Sequence, residues 1–155
     1  MTGFSLVELV VLLAIVGVLV TITWPRLSAL APKYRLEGAA RGLAAAIQKA
    51  RGQAIAQSLC VQVSFNNSTK TYKVATLGGT STCPTTGYPT TPPDLKIDDS
   101  GTIGIEDALS PGNAPPAPIF NTQGRNSQAS TIRLFNADNN GRSISVNAAG
   151  AVFVQ

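Results

Sequence analysis

No histidine occurs among the 155 residues of the chain. A Ser-His-Asp or Cys-His nucleophile system therefore cannot be assembled, and a histidine-ligated metal site is excluded with it. Charge is scarce as well, at 13% of residues, and aromatics make up only 6%. The acids that might serve chemistry are Asp98-Asp99, Glu106-Asp107 and the Asp138-Asn139-Asn140-Gly141 stretch. Paired carboxylates support hydrolysis or an oxygen-ligated calcium ion, but set in polar segments these read as solvated loop acids. The inventory points away from an enzyme, and no metal and no cofactor are expected.

What the chain does have is an apolar run. From Phe4 to Trp24, twenty-one residues carry one ionisable side chain, Glu8. At about 1.5 Å per residue such a helix spans a bilayer. An acid in hydrocarbon costs roughly 2.5 to 3.5 kcal/mol at mid-membrane, so it marks a function and needs a partner. None exists within the run. The nearest cation would be an amine at the segment's own start or on a neighbouring copy, created by cutting the peptide bond after Gly3. That points to assembly. A cleaved secretory signal would need a basic start, an uninterrupted apolar core and a small-x-small site. Ala29-Leu30-Ala31 resembles the last, but Pro32 follows it, Glu8 interrupts the core and no basic residue precedes it. A plain single-span anchor leaves Glu8 without a reason.

The remaining length suffices for one domain of roughly a hundred residues with a modest core. The net charge of +4 is local. It sits on Lys33, Arg35, Arg41, Lys49 and Arg51 against Glu37, whereas basic and acidic residues balance from Cys60 to Gln155. From Pro32 to Ser58, Leu36, Ala40, Leu43, Ile47, Ala50 and Ala54 recur at helical spacing, the stripe of a helix laid on a core. Arg35, Glu37, Arg41 and Lys49 fall off it. Pro25 and Pro32 each remove an i to i−4 hydrogen bond, which predicts one long helix with a kinked joint. Gly38 and Gly42 lie on the face opposite Leu36, as close helix approach or as tolerated surface glycines.

After Cys60 the period changes to two. Val61, Val63 and Phe65, then a turn over 66–70, then Tyr72 and Val74, read as a hairpin. Residues 76–93, rich in Thr, Gly and Pro, are expected to be loop. Short apolar runs follow at 95–97, 103–105, 119–120, 131–135, 143–146 and 151–154, with Asn140-Gly141 and 147–150 as turns between the last three. The fold class is α+β: a long N-terminal helix, one half membrane-embedded and one half amphipathic, packed on a C-terminal antiparallel β domain of two small sheets.

Gly3-Phe4-Ser5-Leu6-Val7-Glu8, the apolar run to Leu19 and then Pro25 resemble the class III signal of type IV pilins and type II secretion pseudopilins. The resemblance implies cleavage after Gly3 by a prepilin peptidase, N-methylation of Phe4, and pairing of Glu8 with the amine of an adjacent subunit. Pro25 matches the family's helix-breaking proline. The leader, Met1-Thr2-Gly3, lacks the Lys or Arg expected on the cytoplasmic side. Ile119-Phe120 with Gly124, Thr131 to Phe135, Gly141 to Val146 and Gly150 further resemble the GspH and FimT minor pseudopilins. In FimT-like members that bind DNA the final glycine opens a Gly-Arg-x-Arg tail. Here it opens Gly150-Ala151-Val152-Phe153, so both arginines are absent.

The organisation expected on this basis is a leader at 1–3, a transmembrane and assembly helix at 4–24, an amphipathic helix at 25–59 and an exported β domain at 60–155. The chain would be a single-pass protein of the bacterial inner membrane with a periplasmic domain, assembled into a pilus or pseudopilus, its partners being the membrane, prepilin peptidase and other pilin or pseudopilin subunits. The even cysteine count in an exported domain favours a Cys60–Cys83 disulfide, worth roughly 3 to 4 kcal/mol in the chain-entropy model. Asn67-Ser68-Thr69 is an incidental match to a glycosylation acceptor. The alternative is a DNA-binding minor pilin for DNA uptake, with Arg125, Arg133 and Arg142 as a phosphate-contacting patch. Aromatics are sparse among them, which weakens single-strand stacking. A membrane-anchored binding protein that never polymerises is the third reading, and it would not depend on Glu8.

Overall fold

The computed structural model describes residues 5–79 and 82–155, without the side chains of Ile22 and of 24–29. The chain divides into two compact units, residues 1–34 and 35–155. One helix, α1 (Leu6–Gln57), crosses the division and is assigned without a break through Pro25 and Pro32. In the first unit it carries the apolar run. Thr21 and Thr23 donate their hydroxyls to the carbonyls of Val18 and Leu19, each at 2.8 Å, which hides two polar groups against the helix's own backbone. Among the described residues no helix is long and apolar enough to cross a membrane. The span expected over 4–24 passes beyond the described residues at both ends, since Phe4 and the side chains of Ile22 and Trp24 lie outside them.

In the second unit α1 becomes one-sided. Leu36, Ala40, Leu43, Ile47, Ala50 and Ala54, the six stripe residues, are all buried, and Ala44 joins them. Four alanines in that face let β-strands approach closely, while Ile47, with no exposed surface, fills the centre. Burying a side chain of that size contributes about 1.5 to 3 kcal/mol. The helix closes with the Leu59 amide on the Ala54 carbonyl at 3.1 Å and Ser58 at φ 52°. That is the left-handed cap position usually given to glycine.

Eight strands follow: β1 (Cys60–Asn66), β2 (Thr71–Leu77), β3 (Leu95–Lys96), β4 (Gly104–Asp107), β5 (Ile119–Phe120), β6 (Ser130–Phe135), β7 (Gly141–Val146) and β8 (Val152–Val154). They form two antiparallel four-stranded sheets, ordered β3-β2-β1-β5 and β4-β6-β7-β8. Both contribute to one core. Val61 and Val63 from β1, Phe120 from β5, Ile105 from β4, Ile132 and Leu134 from β6 and Ile144 and Val146 from β7 meet the helix stripe in it. Each of these strands alternates inward and outward, as its period-two pattern requires. A satellite cluster of Cys60, Cys83, Ile119, Leu77 and Tyr88 stands apart from that core. Cys60 and Leu77 are register partners on β1 and β2, one residue out of phase with the core-facing Val61, so the cluster lies on the sheet face turned away from α1.

Two details correct the sequence reading. The loop expected from residue 76 begins at Gly78, because β2 continues through Leu77 to pair with Cys60. The turn expected at Asn140-Gly141 is displaced: Gly141 opens β7, and Asn139, at φ 59°, takes the left-handed position. Three turns share one build. Asn121, Asn136 and Asn147 each accept, through Oδ1, the amide four residues on at 2.9 Å, while the residue three on, Gly124, Asn139 or Gly150, sits at positive φ and donates back to the asparagine carbonyl. The carboxamide stands in for a backbone turn.

Candidate functional site

The first feature that needs a partner is the N-terminal part of α1. Leu6, Val7, Leu9 to Leu13, Ile15, Val16 and Val18 to Val20 are all exposed. A contiguous apolar surface of that extent marks a protein or membrane contact. Glu8 lies in the first turn, where the helix dipole favours a carboxylate. Among the described residues it has no ion-pair partner; Gly3 and Phe4 lie outside them. Pro25 is within α1, its side chain outside the described residues. Further along, Gly38 and Gly42 have open space where a Cβ would stand. They line a shallow cleft of about 370 Å³ with Arg35, Lys96 and Asp98.

Of the three arginines of the nucleic-acid reading, Arg133 and Arg142 do not share a face. Arg133 and Arg142 are on adjacent strands, but Arg142 pairs in register with the inward-facing Leu134, so it shares the inner face while Arg133 shares the outer. Each has a carboxylate. Arg133 forms an ion pair with the buried Glu106, donates to Asn139 Oδ1 at 3.0 Å and stands over the Phe135 ring, while Glu106 also accepts the Gly112 amide at 3.0 Å. Arg142 Nε meets Glu37 Oε2 at 2.8 Å, fastening β7 to α1. Donation from Arg142, and then from Arg41 at 3.0 Å, holds the Glu37 carboxyl below the usual carboxylate range. Arg125 is exposed in the turn after β5.

Arg51, unremarkable in the sequence because it lies off the helix stripe, organises the end of the domain. Its Nε donates to the Gly124 carbonyl at 3.0 Å and its Nη2 to the Ala149 carbonyl at 3.2 Å, so one guanidinium joins two of the asparagine turns. Those turns touch. A Cβ on Gly150 would lie 2.1 Å from the Gly124 carbonyl oxygen, and one on Gly124 would lie 2.6 Å from Ile55 Cδ1. Both glycines also have positive φ, 72° and 78°. They are needed for conformation and for space together.

Cys60 and Cys83 form a disulfide with a Cα–Cα separation of 5.7 Å. It ties the start of β1 to the loop after β2. Asn67 of the sequon donates its Nδ2 to the Gly112 carbonyl at 3.1 Å. The acids do local work. Asp98 accepts from the Ser100 and Thr102 hydroxyls and is thereby kept below the usual range, first through Ser100. Asp107 Oδ1 accepts the Leu109 amide at 3.0 Å. Among the described residues no three His, Cys, Asp or Glu side chains gather as metal ligands.

A long helix whose C-terminal half is laid on two antiparallel sheets is the architecture of the minor pilins and pseudopilins. The structure resembles the type IV minor pilin FimU of Pseudomonas aeruginosa at 18% identity, with a TM-score of 0.57 over 79% of this chain and 90% of that one. It also resembles the minor pseudopilin EpsH from the type 2 secretion system of Vibrio cholerae at 10% identity, with a TM-score of 0.56 over 78% and 96%. No curated protein sequence matches the chain. The family of type II transport protein GspH matches residues 39–150. The chain belongs to the GspH family.

Proposed function

We propose that this chain is a minor pilin or pseudopilin, a non-enzymatic subunit that is cut after Gly3, N-methylated at Phe4, held in the bacterial inner membrane by residues 4–24 and polymerised through that same helix into a type IV pilus or type II secretion pseudopilus. The observation that carries the reading is the exposed face of Leu6 to Val20, apolar on every side, in a helix whose residues 36–54 are buried on one side only. A helix apolar all round is made to be surrounded. Lipid surrounds it before assembly and the helices of other subunits after it. Glu8 is then the one group in the segment with something to lose in lipid and a partner to gain in the filament, the new amine of the adjacent subunit. Pro25 lowers the cost of bending between the two halves. Residues 60–155 form the exported domain, which makes the contacts specific to this subunit.

The test is Glu8→Leu in cells that make the filament. Membrane insertion should stay the same or improve, because an acid leaves hydrocarbon, whereas the subunit should fall at least tenfold in sheared filaments. Incorporation at the wild-type level would leave a simple membrane anchor as the better account.

A further inference from the structure

The segment after the disulfide is absorbed by none of this. From Cys83 to Asp94 it reads Cys-Pro-Thr-Thr-Gly-Tyr-Pro-Thr-Thr-Pro-Pro-Asp, with the tripeptide Pro-Thr-Thr twice, five residues apart. We propose that Thr85, Thr86, Thr90 and Thr91 are acceptor sites for O-linked sugars.

Four observations converge on them. All four threonines are exposed, and none makes a side-chain hydrogen bond among the described residues. Among those residues no backbone amide from Pro84 to Asp94 donates to a backbone carbonyl, so the segment is free to lie in a transferase cleft. Its four prolines restrict the backbone and its composition is that of O-glycosylated stalks rather than of a packed loop. Yet it is anchored. The disulfide fixes Cys83, Tyr88 packs on the satellite cluster, Lys73 Nζ donates to the Thr90 carbonyl at 3.3 Å and also meets Asp94 Oδ1 at 3.5 Å. The anchors lie on the face of the β3-β2-β1-β5 sheet turned away from α1. Sugars added there would leave the helix face clear for other subunits. The sequon asparagine contrasts with them, because its amide already serves the 106–113 loop.

In the transfer, threonine Oγ1 attacks the anomeric carbon of an activated sugar phosphate. The new carbon–oxygen bond replaces the bond to phosphate, whose electron pair leaves with the phosphate group, and the hydroxyl proton passes to a base of the transferring enzyme. The donor is a nucleotide-linked or lipid-linked sugar. The acceptor role rests on the export of the β domain proposed above, and the experiment separates the two.

The full chain is purified from the cells that naturally make it, with thiols alkylated before lysis, and its intact mass and peptide map are measured. Whole-sugar increments on peptides containing Thr85 to Thr91, lost when all four threonines are changed to valine, are expected. Cys60 and Cys83 should escape alkylation, since export to an oxidising compartment pairs them. An unmodified chain with its disulfide intact overturns the acceptor role and leaves export standing. An unmodified chain with alkylated thiols overturns both. Sugar confined to Asn67, or phosphate-sized increments on the threonines, also overturns the proposal.

Discussion

Replacing Gly150 with alanine should destabilise the β domain more than any other glycine substitution at positive φ. Two costs add at this position. The left-handed conformation, φ 78°, costs an L-residue about 1 to 2 kcal/mol. The added Cβ would stand 2.1 Å from the Gly124 carbonyl oxygen, where real Cβ atoms keep beyond 3.0 Å, so one turn must retreat from the other by nearly an ångström. That retreat stretches the bonds from Arg51 to Gly124 and Ala149, now 3.0 and 3.2 Å. A hydrogen bond to a charged donor contributes about 1.5 to 3 kcal/mol, and overpacking alone costs about 1 to 3. Together with the conformational cost these sum to about 3.5 to 8 kcal/mol, a large share of the roughly 5 to 15 that holds a domain together. Gly112→Ala is the control, with φ 88° and open space around it, and should lose only the conformational cost. Gly124→Ala should fall between, because its Cβ meets the mobile end of Ile55. Urea unfolding of a fragment starting near Lys33, followed by circular dichroism, measures all three against wild type. Equal losses for Gly150→Ala and Gly112→Ala would refute the argument from close approach.

Glu37→Gln tests the α1–β7 ion pair by pH. A carboxyl held below its ordinary value near 4.5 stabilises the fold above that value and loses the effect as pH falls through the lowered one, so the stability gap between wild type and variant should be open at pH 7 and close below about pH 4.5. The gap should also shrink in molar salt, because the pair is half-exposed. Changing Cys60 and Cys83 together to serine should cost about 3 kcal/mol for a loop of 23 residues, read as a lower urea midpoint. The fragment from Lys33 should bind duplex DNA weakly in fluorescence anisotropy at physiological salt; tight binding abolished by changing Arg125, Arg133 and Arg142 to alanine would instead make the chain a DNA receptor.

The helix stripe and all eight strands were legible because both are local periods. Leu36 to Ala54 and the alternation of Val61, Val63 and Phe65 need no knowledge of what they meet. The turns were legible only in place. Asn140-Gly141 carries the familiar hairpin dipeptide, but the asparagine that builds the turn is Asn136, through a carboxamide bond to the fourth residue on that hydropathy does not register. Arg51 was illegible for a different reason. Its partners lie 73 and 98 residues away, so an arginine off the apolar stripe reads as surface. The ion pairs of Arg133 and Arg142 were illegible in the same manner, their carboxylates being 27 and 105 residues distant.

Those ion pairs bear on how the domain could meet a partner. A basic residue earns a role in steering partners only if its field reaches solvent, and the β domain turns Arg133 on Glu106 and Arg142 on Glu37 instead. Its four other cations and five other acids from Cys60 onward are spread over separate loops and strands, among them Lys70 on the Gly101 carbonyl and Lys73 on Asp94. No single-sign patch results to draw a polyanion or an acidic surface by long-range attraction. On the proposed role, recognition by residues 60–155 would come from short-range fit, for which exposed apolar points such as Leu109 and Phe153 are available. Contacts of that kind gain little from diffusion and much from being held in place. On the proposed role, a helix seated among other subunits would supply that holding, because tethering replaces free encounter with a high effective concentration. On the proposed role the neutral domain and the apolar helix explain one another: the helix would bring the subunit to its neighbours, and the domain would be selective at contact.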